Sequence, residues 1–145
     1  MDRITLIRGK VITALKDFTF NSVKIPVFDE MVNPSVTLPS VNGAQAYIIL
    51  QDQQQVYDPV QTYCAPRFNI NLTIKIVTIF GLVGNKKLSE DIGFEVLNLL
   101  RDDRNNSKLD GVDSIELSVS RSMNEVSTTR TAYSKIFILN FILNN

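Results

Sequence analysis

The chain has 145 residues, with 15 Lys+Arg against 15 Asp+Glu, no His, no Trp and one Cys. That length fits a single domain, residues 1–145, able to bury a core without disulfides or metal. The composition excludes His-dependent triads, imidazole metal sites, internal disulfides and CxxC motifs, and it gives no global pull toward nucleic acid.

Charge is balanced in both halves, six of each sign in residues 1–72 and nine of each in 73–145, so averaging hides no charged tail. The first ten residues carry Asp2, Arg3, Arg8 and Lys10 and do not read as a signal peptide. The longest apolar-rich run, residues 136–143, is far shorter than the ~20 residues that span a bilayer. The expectation is a soluble intracellular protein made in a reducing compartment.

Ile4, Ile7, Val11, Leu15 and Phe18 recur every three or four residues and predict a helix over 4–18. Arg3, Arg8, Lys10 and Lys16 fall mostly off that stripe, and Asn21-Ser22 marks the end. Residues 23–30 read as a short extended segment, at an edge or irregular because Pro26 lacks a ladder donor. Residues 33–43, with Pro34, Pro39 and Gly43, read as a loop.

Residues 46–50 are strand-like and run into the polar tract Gln51-Asp52-Gln53-Gln54-Gln55. A long hairpin or loop is expected at 51–67. Residues 68–80 alternate most clearly, with Phe68, Ile70, Leu72, Ile74, Ile76 and Phe80 on one face. One polar face on a long strand suits an antiparallel sheet.

After a turn over 81–88, a second helix is expected. Ser89 is its N-cap, and Ile92, Val96, Leu99 and Leu100 are its apolar stripe, with Phe94 and Leu97 beside it. Residues 114–121 alternate with Ile115, Leu117 and Val119 inward. Residues 122–131 form a loop or hairpin tip, and 132–143 a central last strand. The predicted class is α+β: an antiparallel or mixed sheet of about four to five strands packed on two helices, in the order α-β-β-β-α-β-β.

No enzyme constellation emerges. Gly81 and Gly84 are too close for a P-loop, and Lys86 does not follow Gly84 directly, so a plain turn is expected. Asp29-Glu30 and Asp102-Asp103 are adjacent pairs, which rarely converge on a metal. Without His, Cys64 lacks its usual activator. No cofactor and no catalytic residue is expected. Tyr and Arg are enriched at interfaces, which singles out Tyr57, Tyr63 and Arg67. The tyrosines serve either an interface or the loop's own anchoring to the sheet.

The whole pattern resembles the tail-terminator (tail-completion, neck) proteins of tailed bacteriophages. The resemblance runs through the opening helix, Ile25-Pro26-Val27-Phe28-Asp29-Glu30, the Tyr47-Ile48-Ile49-Leu50 strand, the long strand over 68–80, the helix over 89–102 and the closing hairpin. It implies a homo-oligomeric ring, hexamer or dodecamer, in the neck of a virion assembled in the host cytoplasm. Such a ring would contact the portal or connector and tail or other neck proteins, pass genomic DNA without reading it, and need no membrane. A collar ring of a short-tailed phage is the near alternative, and a small ligand-binding or enzymatic α+β domain the distant one. Exposed edges and hairpins can close a ring by strand pairing, which points to segments 51–67 and 121–131. Tyr57, Tyr63, Arg67, Arg121 and Arg130 are the candidate contacts.

Overall fold

The computed structural model describes residues 3–57, 67–81 and 83–144, apart from the side chains of 3, 4, 52–57, 67, 68 and 144. Among the described residues two helices and eight strands follow in the order α1 (Arg3–Leu15), β1 (Thr19–Phe20), β2 (Val23–Lys24), β3 (Val27–Asp29), β4 (Ser40–Val41), β5 (Ala44–Tyr57), β6 (Arg67–Phe80), α2 (Lys87–Leu100), β7 (Ser114–Val126) and β8 (Thr131–Asn144). The class is α+β. Among the described residues no helix is long and apolar enough to cross a membrane.

Six strands form one mixed sheet in the order β3-β5-β6-β8-β7, with β4 also beside β5. Its β3–β5 pair is parallel and the others are antiparallel. The sheet is larger than the four to five strands expected by the two-residue β4, and β1 and β2 add a separate two-stranded ribbon. Two-residue hairpins with a type I′ turn need φ > 0 at both turn residues. Asn21 and Ser22 (φ 50° and 65°) supply that between β1 and β2, and Asn42 and Gly43 (48° and 84°) between β4 and β5. The expected loop over 33–43 therefore ends in a hairpin.

Both helices lie on one face of the sheet. Ile7, Val11 and Leu15 of α1 and Ile92, Val96 and Leu100 of α2 are fully buried there, against Ile48 and Leu50 of β5, Ile70, Leu72, Ile74 and Ile76 of β6, and Leu139 and Phe141 of β8. Burying each such side chain contributes roughly 1.5–3 kcal/mol, enough to stabilise α1 despite Gly9.

Three further expectations change. Helix α2 starts at Lys87, and its N-cap Lys86 makes no side-chain cap. Instead the Lys87 N–H donates to Asn85 Oδ1 (3.0 Å) in an Asx turn, which satisfies the first helical donor from one residue before the cap. Ser89 is buried, and its hydroxyl donates to the Lys86 carbonyl (2.9 Å). Leu99 is 42% exposed and Phe94 63%, because the buried face of α2 centres on Ile92 and Val96, and both residues fall outside it.

The third concerns β7. Ile115 is buried and Leu117 packs partly on the core, but Val119 is exposed. Leu117 pairs with Leu139 and Val119 with Ile138, so Ser118 is an extra, unpaired residue. This bulge reverses the alternation. Val119, Arg121, Met123 and Glu125 stand opposite Ile138, Ile136, Ser134 and Ala132, on the face away from the helices. Ser122 turns to the helix side, where its hydroxyl donates to Glu90 of α2 (3.0 Å).

Candidate assembly interface

The polar tract does not interrupt β5. Gln53 pairs with Leu72 and Tyr57 with Phe68, after a bulge between Leu50 and Gln53. The chain crosses that bulge under the hold of Arg8. Its guanidinium donates to the carbonyls of Leu50 (2.9 Å) and Gln51 (2.8 Å) and pairs with the Asp29 carboxylate. Its side chain is 12% exposed, so an arginine placed on the solvent side of α1 by periodicity is inserted between helix and sheet. Asp29 is thereby committed to structure.

The sheet's two sides end differently from its middle. On the outer side of β5, β4 and β3 cover residues 44–50. Over 52–57 no strand among the described residues lies on that side. On the outer side of β7, residues 105–107 cover its start: Ile115 N–H donates to Asn105 O (2.9 Å) and Ser107 N–H to Asp113 O (3.2 Å). From 116 to 126 the outer edge is open among the described residues. Natural edges are blunted by bulges and charges, such as the bulge at Ser118 and Glu116, Arg121 and Glu125 here, and above all by Lys or Pro. Neither occurs in 116–126 or in 52–57.

Every residue from Ser118 to Arg130 is exposed, including Val119 (38%), Met123 (44%) and Val126 (72%). The tip of the β7–β8 hairpin is closed by Ser127. Its Oγ accepts from Arg130 N–H (3.1 Å), and its own N–H donates to Arg130 O (2.8 Å). Thr131 N–H reaches Gly81 O (2.9 Å) and ties this tip to the end of β6.

On the face away from the helices the sheet forms a concavity of about 370 Å³, where Tyr47, Lys75, Val77, Glu125 and Arg130 meet. Burial, and then the Glu125 carboxylate, hold the Tyr47 hydroxyl above its ordinary pKa. Tyr47 also packs edge-on against Phe28, with ring centroids 5.9 Å apart. This surface was not anticipated from residue type. Its signal was the apolar half of the alternation, in Val77, Ile79, Ile136 and Ile138.

Of the candidate contacts, Arg121 is exposed on β7 and Arg130 is exposed at the hairpin tip, lining the concavity. Tyr57 ends β5, and Arg67 starts β6 opposite Asn144; their backbones are placed by the ladders. Tyr63 and Cys64 lie outside the described residues. Thus Arg121 and Arg130 share one hairpin, while Tyr57 and Arg67 belong to the other.

The remaining acidic pair has its own employment. Asp102 accepts from the N–H groups of Arg104 (2.8 Å) and Asn106 (2.9 Å) and from the Asn106 side chain (3.0 Å). Those bonds, the Asn106 side chain first, hold its carboxyl below the ordinary range. Among the described residues no group of three or more His, Cys, Asp or Glu could hold a metal ion. Gly84 packs on the Phe80 ring, where a Cβ would clash, and its carbonyl accepts from the Tyr133 hydroxyl (3.0 Å). No protein-family model matches the chain, and no curated protein matches it either.

Proposed function

We propose that this chain is a structural virion protein that forms a ring at the head–tail junction of a tailed bacteriophage. It caps the tail tube or joins it to the portal or connector and leaves a channel for DNA. The observation that carries this reading is the long, exposed edge of β7 beyond its bulge, free of Lys and Pro and open among the described residues, with its protruding hairpin. A ring needs a self-surface that is adhesive and directional, and a strand edge is both. The second long hairpin, built from β5 and β6, and the order of elements resembling tail terminators support the same reading. Zero formal net charge suits a channel through which DNA slides.

Light scattering and negative-stain imaging of the purified protein test this, alone and with connector and tail-tube proteins. The expected result is a ring, formed at high concentration or on a partner. Twelve-fold particles favour a collar ring of a short-tailed phage over a six-fold terminator. A protein that stays monomeric and binds neither partner overturns the proposal.

A further inference from the structure

We propose that the open edge of β7 receives residues 52–57 of β5 from a second copy of this chain, antiparallel and in a staggered register. The pairing gives the ring reading above its molecular contact and rests on it for closure alone.

Both surfaces are strand edges without a neighbouring strand among the described residues, and they lie on opposite sides of one sheet. A contact between them is heterologous, so each copy offers one edge and uses the other. Strand direction fits. Antiparallel steps from β5 to β6, β6 to β8 and β8 to β7 leave β5 and β7 running in opposite directions. A neighbour in the same orientation therefore presents β5 antiparallel to β7 without being inverted. Antiparallel pairing also has the straighter hydrogen bonds.

The stagger follows from which ends are covered. The ladders set Gln54 level with Asn71, Asn140 and Glu116. Two copies side by side at one level would set 52–57 near the part of β7 already covered by residues 105–107. They would also set β3 and β4 against the open part. Sliding the neighbour by about seven residues along the strand brings residues 52–57 opposite 120–125, with Gln54 facing Met123. Closed sheets require such a shear between strands, so the offset of the two open edges suits a ring of tilted strands.

The test uses the full chain with Cys64→Ser as background. One preparation carries Gln54→Cys, another Met123→Cys, and a third Glu116→Cys. Equal mixtures are oxidised mildly and the disulfide-linked dimers are counted, with thermal melts confirming that each variant is folded. The Gln54→Cys and Met123→Cys mixture is expected to give about tenfold more dimer than either alone, because pairing raises the local thiol concentration. It should also exceed the Gln54→Cys and Glu116→Cys mixture, which reports the unstaggered register. No excess over the single preparations, or a greater yield with Glu116→Cys, overturns the proposal. Rings seen without the expected cross-link leave the ring reading standing and this contact refuted. Cross-linking with neither rings nor connector or tail-tube binding does the reverse.

Discussion

The Asn21 side-chain amide donates to the Asn42 side-chain oxygen across 3.1 Å, joining the first residues of two tight turns far apart in sequence. Each turn holds both central residues at positive φ, a region that Asn tolerates and Gly prefers. The bond fixes the β1–β2 ribbon beside the β4–β5 turn, next to the covered end of β5.

These turns differ in their second residue, Ser22 in one and Gly43 in the other. Ser22→Gly should raise stability by about 0.5–1 kcal/mol, and Gly43→Ala should lower it by about 1–3 kcal/mol. Urea midpoints at fixed slope check both. A Ser22→Gly variant less stable than the parent would mean that the Ser22 side chain matters more than its backbone.

Arg8 holds two carbonyls and a carboxylate at the bulge of β5. Arg8→Ala should cost about 1–3 kcal/mol, because it takes a donor from the part-buried carbonyls of Gln51 and Leu50, of which Leu50 keeps the Glu30 N–H (2.9 Å). Arg8→Lys should recover less than half of that, since a point ammonium lacks the planar fork. Equal stability of the Lys and Arg forms in chemical denaturation would refute the forked arrangement.

Gly93 lies where α2 crosses β8. A Cβ there would sit 2.9 Å from the Phe137 ring and 3.1 Å from the Lys135 side chain. Gly→Ala in a helix ordinarily gains about 1 kcal/mol. Gly93→Ala should instead destabilise by about 1–3 kcal/mol, because overpacking outweighs the helical gain. Gly9, with nothing within 4 Å of its Cβ position, is the control, and Gly9→Ala should stabilise. Parallel melts of the two variants separate these outcomes.

Tyr47 titrates above its ordinary value, so the folded state favours its neutral form. Its contribution to stability is present below the unfolded pKa of about 10 and is lost as pH rises toward the folded value. Tyr47→Phe should therefore lose less stability than the parent above about pH 10. Glu125→Gln should move the Tyr47 titration down, followed by phenolate absorbance against Tyr47→Phe as blank. An unchanged titration would show that the two residues do not share the concavity.

Much of the architecture was legible because alternation and helical spacing are local properties. Strands β5, β6 and β8 and the two helices were placed that way. The Gln tract misled because polar residues continue a strand when a long partner such as β6 supplies the ladder. The short hairpins were missed although Asn42-Gly43 is a strong turn signal, since proline dominated the reading of that stretch. Arg8 looked solvated because a wheel shows direction and not what the sheet presents. Arg121 and Arg130 were readable as exposed residues in a polar stretch, whereas the open edge beside them depends on sheet order, which no local pattern encodes.

The bulge at Ser118 gives β7 two allegiances within thirteen residues. Its first half serves the molecule's own interior through Ile115 and Leu117. Its second half, with the parity inverted, hands Val119 and Met123 to the outside. Deleting that single serine would let Val119 follow Leu117 in an unbroken ladder, with Val119 and Met123 still opposite Ile138 and Ser134 on the outer face and Ser122 still toward α2. That one inserted residue marks the boundary between the stretch that builds the core and the stretch that is left for a neighbour.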